Sequence, residues 1–262
     1  MVPSIKPAHT DSPNLKVKPV SKRSGSGLVQ VNVECYGGGL WHTWFDRDLS
    51  IAGRVIVKSS DEAISQSGQR FQQRLVKIEH PILRVPNLCI HLKTPEERDA
   101  FKVNKEDHMI PILCSEVEKA LSASEGRSRK EQEGENELDP GEREEENEWM
   151  AVQTPELLEV IASELGCLPS DILDFELSLY DTQNAVLSGS TKEFICGSRI
   201  DNLASCFVAV EALAMYAGSE LGSDEDVSLI ALFDHEEVGS GSNAGAGAPM
   251  MRDAVTRYGI VL

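Results

Sequence analysis

The sequence predicts an α/β fold with a largely β portion. Three observations carry this. Residues 28–113 hold short runs that alternate apolar and polar, the period of a half-buried strand. Residues 154–262 instead alternate helical and strand patterns. Within them, Val227 to Phe233 is short and almost continuously apolar, as strands of parallel sheets are.

Taken in chain order, His9-Thr10-Asp11-Ser12-Pro13 reads as a strand end and loop, followed by a short alternating strand, Leu15-Lys16-Val17-Lys18. Leu28 to Val33 and Leu49 to Val57 are strands, with Gly53 as a candidate bulge. Leu75 to Ile78 and Leu88-Cys89-Ile90 are shorter ones. Gly37-Gly38-Gly39 and Asp46-Arg47-Asp48 supply turns. A helix is expected from Pro111 to Leu121. Thr154-Pro155-Glu156 starts another, with Thr as N-cap and Pro at the first helical position. Its apolar face is Leu157, Leu158, Ile161 and Leu165, and Gly166 stops it. Phe175 to Leu179 alternates as a strand. Asp201-Asn202 opens a helix with Leu203, Cys206, Val210 and Leu213 on one face. Gly239 to Gly247 is a Gly/Ser/Ala-rich turn before a last helix from about Pro249. No internal repeat is visible.

Composition narrows the function classes. Of 262 residues, 40% are hydrophobic, enough for a real core. No uncharged apolar run approaches about 20 residues, so no membrane span is expected. Residues 1–22 lack the apolar stretch of a signal peptide. The six cysteines form no CxxC and no small-domain spacing, which reads as reduced thiols in a cytoplasmic protein. Cys89 and Cys206 sit in apolar runs and read as core. The net charge of −18 is concentrated: residues 131–148 hold ten acids against one arginine. Residues 122–148 are therefore expected to form a disordered acidic insert. The rest is mildly acidic and offers no basic footprint for nucleic acid.

Three clusters could carry chemistry. In His9-Thr10-Asp11 on extended chain, residues i and i+2 share a side, so an imidazole can bind a metal while a carboxylate fixes the ring. Alone this is weak, since H-x-D arises by chance. Arg199-Ile200-Asp201-Asn202 puts an aspartate at a helix start, where capping is the ordinary role. Asp234-His235-Glu236-Glu237 follows a buried strand directly. Four titratable groups there are hard to explain as packing, although an exposed acidic turn is the bland alternative. Of adjacent glutamates, one can ligate a metal while the other acts as general base toward water.

With their flanks, these clusters resemble the aspartyl aminopeptidase family of zinc metallopeptidases, the M18 family. The matching strings are Ala8–Pro13 (A-H-T-D-S-P), Val33–Leu49 (V-E-C-Y-G-G-G-L-W-H-T-W-F-D-R-D-L) and His80–Leu92. They continue at Asp181–Gly189, Arg199–Leu203 and Asp234–Ser240. The resemblance implies removal of N-terminal Asp or Glu from peptides by a site holding two Zn2+ per complete subunit. It implies His9, Asp201 and Glu237 as metal ligands, with Asp201 bridging both metals and Asp11 orienting His9. Glu236 would be the general base on a metal-bridging water. His91 resembles a histidine inserted into a neighbouring subunit's active site; read alone, it is a strand histidine at a β interface. The implied architecture is an α/β catalytic domain of residues 1–22 and 181–262, with residues 23–180 an inserted, largely β dimerisation domain. Self-association is implied, as dimers within a dodecamer, in the cytoplasm or the vacuole. No nucleic-acid or membrane partner is expected.

The sequence departs from the family pattern at both ends. Little precedes Ala8, and the family's downstream carboxylate and second histidine ligands find no counterpart after Glu237, where Asp253 is the last acid. Two alternatives follow. One is an inactive fragment that keeps the oligomerisation module. The other is a related two-metal aminopeptidase or deacylase.

Overall fold

The computed structural model describes residues 8–59, 70–117, 148–219, 222 and 228–259. Most of the acidic insert, and part of the helix expected at Pro111–Leu121, lie outside the described residues. The chain divides into two units. One comprises Met1–Pro13, Tyr36–Gly39 and Gln183–Leu262; the other comprises Asn14–Cys35 and Leu40–Thr182. The first unit opens with β1 (Ala8–His9).

The second unit is built on a six-stranded sheet. Its strands are β2 (Asn14–Gly25), β3 (Leu28–Tyr36), β4 (Leu49–Lys58), β5 (Phe71–Lys77), β6 (Ile112–Ser115) and β7 (Ile172–Asp181). They run in the order β5-β4-β7-β2-β3-β6. The alternation seen in the sequence becomes alternation in burial. Val29, Val31 and Val33 face the core, as do Leu49, Ile51, Val55, Leu177 and Leu179. β2 extends past residue 22, so the strand crosses the expected domain boundary whole and stays in this unit.

Short helices α1 (Pro95–Asp99) and α2 (Glu148–Ala151) precede α3 (Pro155–Leu165). α3 starts after Thr154 and ends at Gly166 in the left-handed conformation, as the stop signal requires; Thr154 stands at the N-cap position but makes no capping bond, because its hydroxyl donates to the Ser21 carbonyl instead. Leu157, Leu158, Ile161 and Leu165 are all buried in the sheet's core. Fully burying one such side chain contributes about 1.5–3 kcal/mol. Ile161→Ala is the single change that would open a cavity there, at a cost of about 2–5 kcal/mol.

Several expectations are corrected. Ile112–Ser115 is a strand, not helix: Val31 donates to the Pro111 carbonyl and β6 pairs with the edge of β3. Leu88-Cys89-Ile90 is not a strand; Ile90–Leu92 forms a 3-10 turn, and Leu88, Cys89 and Ile90 are exposed. Gly53 makes no bulge. Its ladder is regular, and the irregularity falls between Ile56 and Val57. A Cβ at Gly53 would strike the backbone carbonyl of Glu176, so what the position needs is close approach of two strands.

In the first unit, β8 (Val186–Ser188) and β9 (Phe194–Cys196) form an antiparallel hairpin. They are followed by α4 (Ile200–Ser219), β10 (Leu232–Phe233) and α5 (Pro249–Gly259). β1 runs parallel to β10, with Ala8 opposite Leu232 and His9 opposite Phe233. The apolar run before Phe233 is thus a strand over its last two residues. The expected apolar face of α4 is buried at Cys206, whose thiol donates to the His9 carbonyl at 3.1 Å, while Leu203 and Val210 are exposed. By length and composition α4 is also apolar enough to cross a membrane, with mean hydropathy 1.3, although Asp201 and Glu211 interrupt it, so no uncharged run of that length is present. The thiol contact sets α4 against the strand that carries His9.

Candidate metal centre

The site is assembled where β1 ends beside β10. Parallel pairing places the carboxyl ends of both strands together, where ligands of α/β sheets gather. Thr10 fastens the junction, because its backbone N–H and its hydroxyl both donate to the Phe233 carbonyl, at 2.8 and 3.1 Å. His9 and Asp11 leave one strand and Asp234-His235-Glu236-Glu237 leave the other.

His9 is held by its Nδ1, which donates to the main-chain carbonyl of Asp11 at 3.0 Å. The Asp11 carboxylate lies further off, at 3.4 Å. The orienting contact is therefore chiefly to the backbone of Asp11. This tautomer leaves Nε2 with a free lone pair, the state a metal ligand needs. Nε2 faces Asp201 Oδ1 at 3.4 Å and Glu236 Oε2 at 3.9 Å. Burial works against charge on the ring. The Asp11 carbonyl and the carboxylates of Glu236, Asp11 and Asp201 outweigh it and raise the His9 pKa.

The Asp11 carboxylate is occupied on both oxygens. Glu236 N–H donates to Oδ1 at 3.2 Å; Glu237 N–H and the Tyr36 hydroxyl donate to Oδ2 at 3.1 and 2.8 Å. Burial alone would raise its pKa, but the Glu237 amide, the Tyr36 hydroxyl and the Glu236 amide reverse this and lower it. Burial and the bond to Asp11 push the Tyr36 hydroxyl well above its ordinary value. Asp11 is thus a pin for the turn that carries both glutamates.

That turn is tight. His235 has φ of 61° and Gly239 closes the turn by donating to the Glu236 carbonyl at 2.9 Å. His235 Nδ1 shares a 2.8 Å hydrogen bond with Ser242 Oγ, which also accepts from the amides of Ala244 and Gly245. This gives the glycine-rich stretch a role in holding the turn.

Donor atoms of His9, Glu236 and Glu237 all lie within 4.8 Å of one another. Imidazole nitrogen and carboxylate oxygen are ordinary zinc donors, so this set fits zinc. Asp201 stands at the edge, 3.4 Å from His9 but with its side chain 91% exposed. Its backbone departs from helix geometry inside the first turn of α4, the Asp201–Asn202 peptide is cis, and its carbonyl accepts from Ser12 Oγ. Of the residues singled out in the sequence, His9, Asp11, Asp201, Glu236 and Glu237 come together. His91 belongs to the second unit, exposed in the 3-10 turn Ile90–Leu92. Tyr36, Gly38 and Ser242 were not singled out. Gly38 reads in the sequence only as part of the Gly37-Gly38-Gly39 turn, and Tyr36 carries no signal of its own beyond the Val33–Leu49 string.

The family model of the aminopeptidase I zinc metalloproteases (M18) matches residues 3–261. A probable aspartyl aminopeptidase of Ricinus communis is 46% identical over 257 residues, covering 95% of this chain and 50% of the relative. Among solved structures, a chain in the cryo-EM structure of the Ape4 and Nbr1 complex matches with a TM-score of 0.78 and 37% identity, over 96% of this chain and 44% of that one. The mApe1 dodecamer of Saccharomyces cerevisiae matches with a TM-score of 0.66 and 26% identity, over 96% and 48%. The chain spans about half the length of the proteins it matches.

Proposed function

Because the chain belongs to the M18 family of aminopeptidase I zinc metalloproteases, we propose that it carries the N-terminal part of a metal-dependent aminopeptidase site acting on peptides that begin with Asp or Glu. The observation that carries this is convergence. His9 meets Glu236 and Glu237 within 4.8 Å although more than two hundred residues separate them. The preference for an acidic first residue rests on the names of the relatives.

His9 Nε2, Glu237 and Asp201 are the side chains to hold zinc, with about two ions per complete subunit. Zinc bound there would supply Lewis acidity toward the scissile carbonyl and toward water. Glu236 is the general base. Its carboxylate stands 3.9 Å from His9 Nε2 and half in solvent, so it can take a proton from water and deliver it to the leaving amine. Asp11 holds the Glu236–Glu237 turn through its two backbone N–H groups and keeps the base aimed. Self-association as in the matched dodecamer is part of this reading, with His91 offered to a neighbouring subunit. A cytoplasmic or vacuolar location is part of the same reading.

A second reading, a chain that binds one metal and does not turn over, is favoured by the three-residue donor group found among the described residues. Two measurements separate them. Hydrolysis of peptides starting with Asp, Glu, Leu or Lys should favour the acidic ones and vanish in Glu236→Gln. A zinc count near two per chain supports the first reading; one or none, with no hydrolysis, supports the second.

A further inference from the structure

In the sequence Gly37-Gly38-Gly39 reads as a turn and Tyr36 carries no assigned role; in the structure Tyr36–Gly39 belongs to the unit that carries the candidate metal centre. Three contacts explain its residue types. The Tyr36 hydroxyl donates to Asp11 Oδ2 at 2.8 Å. The Gly38 N–H donates to Glu237 Oε2 at 3.2 Å. At Gly37, where φ is +85°, a Cβ would stand 2.8 Å from Glu237 Cβ and 2.9 Å from its Oε2, closer than real Cβ atoms come. Only glycine lets the backbone pass this near the carboxylate.

We propose that Tyr36-Gly37-Gly38 is a cradle that presets the metal ligand Glu237. Gly38 and Gly37 hold the side chain directly, and Tyr36 acts through Asp11 on the turn bearing Glu236 and Glu237. Tyr36 is a positioning residue, since it touches Asp11 and not the metal donors themselves. The inference rests on the metal-site reading above and deepens it.

The physical argument is preorganisation. A glutamate has several rotatable bonds, and ordering it when a metal arrives costs side-chain entropy. An amide on one carboxylate oxygen and backbone against the Cβ remove that freedom beforehand. Losing such an outer contact typically lowers metal affinity about 10- to 100-fold. The hydroxyl of Tyr36 works one bond further back: Asp11 Oδ2 accepts both it and the Glu237 N–H, so the three groups hold one geometry.

The test is a Co2+ titration of the 262-residue chain, followed by its visible absorption and by competition with Zn2+, in wild type, Tyr36→Phe, Gly37→Ala and Gly27→Ala. Gly27 is the strain control. Its φ is +71° with open space around its α-carbon, so alanine there strains the backbone without touching Glu237. The expected result is a roughly 10- to 100-fold weaker affinity and an altered cobalt spectrum in Tyr36→Phe and Gly37→Ala, with Gly27→Ala like wild type. Thermal melting of the metal-free chains accompanies each titration. Should Gly37→Ala fail to fold, the near-isosteric Tyr36→Phe decides. Wild-type affinity and spectrum in both cradle variants would overturn the cradle while leaving the metal site standing, even if the metal-free melting temperature fell. A wild-type chain that takes up neither cobalt nor zinc would overturn the metal site and the cradle with it.

Discussion

Ser21 and Gln153 lie 132 residues apart and share a 2.7 Å hydrogen bond, Ser21 Oγ donating to Gln153 Oε1, in a part of the core where both are 0% exposed. The bond belongs to a closed set. Gln153 Nε2 donates to the Pro19 carbonyl, Thr154 N–H donates to Ser21 Oγ, and Thr154 Oγ1 donates to the Ser21 carbonyl. Together they fix the start of α3 on β2. Gln153→Leu keeps the volume but strands the Pro19 carbonyl and changes the partner of Ser21. The expected loss is about 1–3 kcal/mol in urea unfolding, and an unchanged midpoint would show that the set is replaced by water.

Gly53→Ala should destabilise the second unit, against the usual gain for Gly→Ala inside a strand, which is about 0.5–1 kcal/mol. The new methyl group meets the Glu176 carbonyl in the middle of the β4–β7 ladder. Overpacking of this kind costs about 1–3 kcal/mol. A thermal melt of Gly53→Ala at or above wild type would contradict the close approach.

Glu176 sits between Lys16 and Arg54, at 2.8 and 2.7 Å. The Lys16 hydrogen bond is the main cause of its lowered pKa, opposed by burial and assisted by the charges of Lys16 and Arg54. A carboxylate with a depressed folded pKa adds stability above its unfolded value of about 4.3, and that stability is lost as pH falls through the folded pKa. Glu176→Gln should therefore be less stable than wild type at neutral pH. The deficit is at most about 1 kcal/mol for so exposed a group, and it should vanish at acid pH. Urea midpoints at both ends of this range check it; a constant difference would assign the effect to packing.

Zinc should raise the melting temperature of the chain and a chelator should reverse the rise. At one hundred times the dissociation constant the gain is about 2.7 kcal/mol. Glu237→Gln should lose most of this gain with little change in the metal-free melt, because the side chain is only partly buried and a glutamine oxygen can still accept from the Gly38 N–H. Equal zinc stabilisation of both proteins would remove Glu237 from the ligand set.

The second unit was largely legible in the sequence, because its elements are local patterns. The alternating valines of β3 and the Thr154-Pro155 start and Gly166 stop of α3 each lie within one short window. Ile112–Ser115 is ambiguous because so short an apolar run, Ile112-Leu113-Cys114, fits helix or strand equally, and only the free edge of β3 decides. The exposed face of α4 shows the reverse case: its apolar period is in the sequence, but what covers it is not. At the metal centre, residue types were legible and contacts were not. Asp11 as a pin and Gly38 as a donor depend on partners about two hundred residues away, which no periodicity reports.

The parallel pairing of β1 with β10 also has a bearing on assembly in time. Thr10 leaves the ribosome 223 residues before Phe233, the residue it bonds. At about 5–20 residues per second, that is a wait of roughly ten to forty-five seconds. The second unit, whose strands fall almost wholly between these two points, can complete its sheet during that interval. The candidate metal centre is consequently assembled only after that sheet can form, and His9 spends the interval without the glutamates it is to meet.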